Sequence, residues 1–109
     1  MDYKHHKILA VIDSYIKKVI DNNIRIEKIY LFGSYARGDN REDSDIDFAV
    51  ISADFAGDRF DDRMRIIPLR REIDRRLEPM PFRPEDFTEK DPLAAEILKN
   101  GIELPLPRD

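Results

Sequence analysis

The segment from Ile24 to Phe32 alternates at first and then runs Tyr30-Leu31-Phe32 without a polar residue, stopping abruptly at Gly33-Ser34. A strand apolar on both faces has to be covered on both faces, which makes it a central strand with layers packed above and below. That requirement points to an α/β architecture, and the rest of the chain supplies the covering elements.

Residues 4–22 carry Ile8, Leu9, Val11, Ile12, Tyr15, Ile16, Val19 and Ile20 at mostly three- and four-residue spacing, which predicts an amphipathic helix. A second strand is expected from Asp45 to Ile51. Period two places Asp45, Asp47, Ala49 and Ile51 on one face and Ile46, Phe48 and Val50 on the other. Between the strands lies a polar loop, Tyr35 to Ser44, with Gly38, Asp39 and Asn40 as turn formers. Residues 58–77 set Phe60, Met64, Ile67, Leu69, Ile73 and Leu77 at mostly helical spacing, and Pro68 should kink or split that helix. Leu77 to Phe82 reads as a short third strand. Pro79 and Pro81 cannot donate ladder hydrogen bonds, so it belongs at a sheet edge or pairs on one side only. Asp91-Pro92 starts a last helix with an N-cap and a first-turn proline, Gly101 ends it, and Ile102-Glu103-Leu104 follows as a small terminal strand. The expected class is α/β (α+β), a small sheet flanked by helices, in one domain spanning residues 1–109.

Composition narrows the function. The chain has no cysteine, hence no disulfide, thiolate metal site or cysteine nucleophile. It shows no apolar run long enough to span a membrane and no signal-peptide core behind its first residues, and a cytoplasmic location is expected. A net charge of −4 argues against a long nucleic-acid substrate held by phosphate contacts. Charged residues make up 39% of the chain, against about 25% on average. They are segregated: residues 33–47 hold two arginines against five acids, and residues 59–76 hold seven arginines against four acids.

Folding alone explains two features of residues 33–47 poorly. Gly33-Ser34 sits where a buried strand ends, and a glycine there permits close backbone approach while free N–H groups and a hydroxyl suit an anion. Asp45 and Asp47 fall on one face of an apolar strand, about 7 Å apart along it. Like charges repel there and strands disfavour aspartate. A hard cation between the carboxylates removes the conflict, as in magnesium sites that also bind substrate phosphates. The two features together imply phosphoryl or nucleotidyl transfer.

Gly33-Ser34, ten intervening residues and Asp45-Ile46-Asp47 resemble the signature of the DNA polymerase beta-like nucleotidyltransferase superfamily. The flanking strings Leu31-Phe32-Gly33-Ser34-Tyr35-Ala36-Arg37-Gly38 and Ser44-Asp45-Ile46-Asp47-Phe48-Ala49-Val50 are similar to its minimal nucleotidyltransferase branch, often paired with small helical HEPN-type toxins. The resemblance implies a small mixed sheet flanked by helices. It implies that Gly33 and Ser34 grip the triphosphate of ATP or another nucleoside triphosphate, with Arg37 helping to neutralise it. It implies that Asp45 and Asp47 bind divalent ions, two Mg2+, and that a third carboxylate comes from a later strand. Counting back from Arg83-Pro84-Glu85-Asp86-Phe87 places Glu78 at that third position, where the family usually has aspartate. The implied reaction is metal-dependent transfer of AMP to a hydroxyl of a HEPN-type partner, silencing it, so that the chain acts as an antitoxin. The alternative is a non-catalytic antitoxin that neutralises its partner by occlusion.

Simpler roles exist for the other charged and aromatic residues. Arg37 and Arg41 have Asp39, Glu42 and Asp43 as nearby partners. The arginines of residues 59–76 read as a solvated helix face alternating with Asp61, Asp62, Glu72 and Asp74, and as the first candidate surface for a partner protein. Tyr35 is expected to pack beside its loop, and His5 and His6, adjacent on a helix, point apart and do not form a metal site. A homodimer would suit so small a core.

Overall fold

The computed structural model describes residues 6–107. In order, the elements are α1 (His6–Asp21), β1 (Lys28–Phe32), α2 (Ser34–Arg37), β2 (Ile46–Ile51), α3 (Arg59–Ile66), a 3-10 segment (Ile67–Glu72), β3 (Leu77–Phe82), a 3-10 turn (Pro84–Asp86), α4 (Pro92–Asn100) and β4 (Ile102–Leu104). The strands form one mixed sheet in the order β3-β2-β1-β4. β1 is antiparallel to both β2 and β4, while β2 and β3 run parallel. The expected edge position of the proline-bearing third strand holds, and the terminal strand closes the other edge.

Both sheet faces are covered. On one, Ile29, Leu31, Ile46, Phe48, Val50 and Leu77 pack with Ile12, Tyr15, Ile16 and Val19 of α1 and Ile66 of α3. Tyr15 meets Phe48 edge to face at 5.6 Å, and its hydroxyl donates to the Ile66 carbonyl at 2.6 Å, tying α1 to the end of α3. On the other face, Tyr30, Ala49, Ile51 and Phe82 pack against Ala94 and Ile97 of α4. The period-two reading of β2 therefore holds: its two apolar sets serve two separate cores. Helix α4 starts as expected, with the Asp91 carboxylate accepting from Leu93 N at 2.9 Å and Ala94 N at 3.1 Å.

Several boundaries differ from expectation. The helix expected from residue 4 is described from His6 onward; residues 4 and 5, His5 among them, lie outside the described chain. The first strand begins only at Lys28, because Ile24 is committed to the core and Arg25 to Asp54, its main-chain N–H donating to that carboxylate at 2.8 Å. Pro68 splits the 58–77 helix, which ends at Ile66 and continues as the 3-10 segment only to Glu72. Phe60 and Met64 do not face the core; they are 73% and 53% exposed, and Asp62 and Ile66 occupy the buried side of α3 instead. Asp62 is accordingly no part of a solvated face. It is 2% exposed, and its carboxylate accepts from Ala56 N at 2.8 Å and Gly57 N at 2.9 Å, holding the loop that leads into the helix. No helix among the described residues is long and apolar enough to cross a membrane.

Candidate active site

Three strand ends meet at one end of the sheet. Because β1 opposes β2 and β3 runs alongside it, the C-terminus of β1 lies beside the N-termini of β2 and β3. Phe32 pairs with Asp47, and Asp47 pairs with Glu78. Directly paired residues point to the same face, so Asp47 and Glu78 share the face covered further along by α4. The two carboxylates belong to separate strands, and only the parallel register brings them abreast.

Gly33 follows β1 with φ 72° and ψ −151°, a region essentially reserved for glycine. A Cβ at that position would come within 3.1 Å of Asp47 Cγ and closer still to Oδ2. The missing side chain thus leaves the space that the Asp47 carboxylate needs beside the turn. Ser34 then opens α2, half-buried, with a hydroxyl that makes no hydrogen bond among the described residues. Tyr35, expected to pack beside its loop, packs into the core, and its hydroxyl accepts from Arg76 at 3.2 Å. Arg76 also donates to the Glu42 carbonyl at 3.1 Å and pairs with Asp74 at 2.8 Å, pinning the 38–44 loop to the start of β3.

Asp47 is half-buried, and Asp45, one residue before β2, is exposed. Burial, then the negative charges of Asp45 and Glu78, push the Asp47 carboxyl above its ordinary value, with the Arg37 guanidinium opposing them. That is the electrostatic signature of a place where carboxylates converge and a cation would be favourable. Arg37 itself pairs with Asp39 at 3.2 Å, both side chains largely in solvent. The Arg41 side chain makes no hydrogen bond or ion pair among the described residues.

Glu78 is held from both sides. Its Oε2 accepts from Arg63, and its Oε1 accepts from Arg70 at 2.9 Å, while Arg70 also donates to the Leu77 carbonyl at 2.8 Å. The buried Arg63 Nε has no partner among the described residues. The sequence pattern places these two arginines on a solvated helix face; the structure brings them to the site. No local spacing links residue 63 or 70 to residue 78; the contact arises from packing along the edge of β3.

The donor set fits a divalent ion in part. Among the described residues no three His, Asp or Glu side chains are grouped to hold a metal. Asp45 and Asp47 supply hard oxygen donors, and magnesium is typically bound by one or two carboxylates, completing its shell with substrate phosphates and water. At the opposite end of the sheet a cleft of about 500 Å3 opens beside Phe82 and Arg83. Its arginines are already committed, Arg59 to Asp91 at 2.5 Å and Arg83 to Asp86 at 2.7 Å.

A mixed sheet whose strand ends converge on a glycine turn and an aspartate has the fold of a nucleotidyltransferase. A family profile described as "Polymerase beta, Nucleotidyltransferase" matches residues 14–105, and the chain belongs to that family. It is 51% identical over 39 residues to protein adenylyltransferase MntA of Shewanella oneidensis, a match covering 36% of this chain and 28% of that protein. It is 67% identical over 27 residues to a provisionally named protein adenylyltransferase of Methanocaldococcus jannaschii, covering 25% of this chain and 27% of the relative. Both matches span less than a third of the relative's length. Among solved structures, a provisionally named nucleotidyltransferase from Sulfolobus solfataricus superposes with a TM-score of 0.62 at 23% identity, over 89% of this chain and 78% of that one. A toxin–antitoxin solved with AMP-PNP superposes with a TM-score of 0.59 at 25% identity, over 88% and 74% of the two chains.

Proposed function

We propose that this chain transfers a nucleotide, AMP from ATP, to a hydroxyl of a protein partner of the small helical HEPN type, and acts as its antitoxin. The observation that carries the reading is the fit between Gly33 and Asp47: a glycine-only turn closes over a carboxylate flanked by two others. The relatives named protein adenylyltransferases and the structural likeness to a toxin–antitoxin bound to AMP-PNP support it.

In this reading Asp45 and Asp47 hold magnesium, with two ions expected and Glu78 as the third carboxylate. The metal supplies neutralisation of the triphosphate and of the charge developing on attacking and leaving oxygens. Gly33 lets the main chain approach the phosphates, the free Ser34 hydroxyl donates to a phosphate oxygen, and Arg37 moves from Asp39 toward the leaving group. The acceptor oxygen forms a bond to the α-phosphorus as the bond to the bridging oxygen breaks, and pyrophosphate departs. Glu78, oriented by Arg63 and Arg70, takes the proton released by the acceptor hydroxyl.

The second reading, neutralisation by occlusion without chemistry, draws on one observation: both Glu78 oxygens already accept from arginines. One experiment separates the two. The protein is incubated with magnesium, α-labelled ATP and the product of its neighbouring gene. Label on that product, lost in Asp45→Asn, is the expected result. Neutralisation that survives Asp45→Asn with no label transferred would establish occlusion instead.

A further inference from the structure

Beside the third carboxylate, α3 and the 3-10 segment form a second groove of about 480 Å3, lined by Met64, Ile67, Pro68, Arg70, Arg71 and Arg75. Its lining holds three arginines and no acid. Most arginines elsewhere are matched to carboxylates: Arg25 to Asp54, Arg37 to Asp39, Arg59 to Asp91, Arg76 to Asp74, Arg83 to Asp86. Arg71 and Arg75 are exposed and make no hydrogen bond or ion pair among the described residues. Glu72 lies between them in sequence, but Lys18 pairs with it at 2.8 Å. Met64, Ile67 and Pro68 supply the groove's apolar surface, and Phe60, one turn before Met64 on α3, is exposed as well. Arg70 both lines the groove and holds Glu78, so the groove leads to the carboxylate that faces the acceptor in the proposed reaction.

We infer that this groove docks an acidic segment of the acceptor protein, its carboxylates on Arg71 and Arg75 and its apolar side chains on Met64, Ile67 and Pro68. Docking there brings a hydroxyl-bearing residue of the same segment toward Glu78. Charge complementarity identifies the occupant. Arginines without an acid beside them in the lining suit carboxylates, and the apolar side chains of Met64, Ile67 and Pro68 suit a polypeptide better than RNA, which would call for aromatic stacking planes absent from this lining. The inference deepens the transferase reading and rests on it for the direction of approach, but the docking itself can be measured independently.

The test uses the full chain and a fluorescein-labelled random copolymer of glutamate and tyrosine, followed by fluorescence anisotropy at low salt. Wild type should bind the copolymer, and Arg71→Glu/Arg75→Glu should weaken it about tenfold, with unchanged Tm and unchanged magnesium-ATP binding. Met64→Glu, which leaves both arginines in place, should also weaken it. Equal affinity of wild type and the double variant overturns the inference. So does tighter binding of labelled oligouridylate than of the copolymer, or a wild-type dimer that Arg71→Glu/Arg75→Glu converts to monomer, since the occupant would then be RNA or a second copy. The activity arm separates this from the transferase reading. AMP transfer to the neighbouring gene's product with wild-type KM in the double variant removes the groove and leaves the transferase. Charge-dependent copolymer binding with no AMP transfer to any protein leaves the groove and removes the transferase.

Discussion

Replacing Gly33 by alanine should cost stability through two separable effects. The backbone at φ 72° and ψ −151° lies in a region that a residue with a Cβ adopts at a cost of about 1–3 kcal/mol. The new methyl would also meet the Asp47 carboxylate, its Cγ only 3.1 Å away, and crowding of that kind costs about 1–3 kcal/mol more. The sum, about 2–6 kcal/mol, is a large part of the roughly 5–15 kcal/mol that holds a domain folded. Each kcal/mol corresponds to about 4–8 °C in Tm for a chain of this size. Urea unfolding of wild type, Gly33→Ala, Asp47→Ala and the double variant measures both parts. In the Asp47→Ala background the alanine at 33 should retain the backbone cost and lose the contact cost. An identical penalty in both backgrounds would show that Asp47 does not crowd the turn. A penalty below about 0.5 kcal/mol in wild type would remove the glycine argument altogether.

Asp62→Ala leaves two backbone N–H groups of the 56–57 loop without their buried acceptor and should cost about 3 kcal/mol in urea unfolding, far more than Asp61→Ala on the exposed side. Equal effects at the two positions would contradict the placement of α3. Burial and neighbouring carboxylates raise the folded-state pKa of Asp47, so its ionisation opposes folding at neutral pH, and that cost disappears below the ordinary value of 3.8, where both states are protonated. Asp47→Asn should therefore be more stable than wild type at pH 7, with the difference closing by about pH 3; a gain undiminished in acid would mean another cause. Magnesium should raise the Tm of wild type and leave that of Asp47→Asn unmoved, read by thermal scans with and without chelator. Asp91→Ala should lower stability by about 1 kcal/mol through loss of the α4 cap, and Asp91→Asn, which keeps the accepting oxygen, should recover most of it.

What local interactions dictate could be read along the chain. The Asp91 cap and its proline involve neighbours within three residues, the two faces of β2 follow from its alternation, and Pro68, lacking an N–H to donate, interrupts the helix that the apolar spacing of residues 58–77 would continue. Gly33-Ser34 and Asp45-Ile46-Asp47 identify the candidate chemistry because the residue types themselves conflict with ordinary strand burial. Packing between distant elements decided the rest. Spacing alone set Phe60 and Met64 with the apolar side of a helix, but the contact with the sheet selects Asp62 and Ile66, since α3 begins at a loop whose free N–H groups require a buried carboxylate. The parallel register of β2 and β3 sets Glu78 abreast of Asp47, and the course of the 3-10 segment along the open edge of β3 delivers Arg63 and Arg70 to it. The pairing of Asp47 with Glu78 joins residues 31 positions apart in the chain (78 less 47), and the Tyr15 bond to Ile66 spans 51. No periodicity of one segment encodes them, because they depend on where a second segment comes to rest.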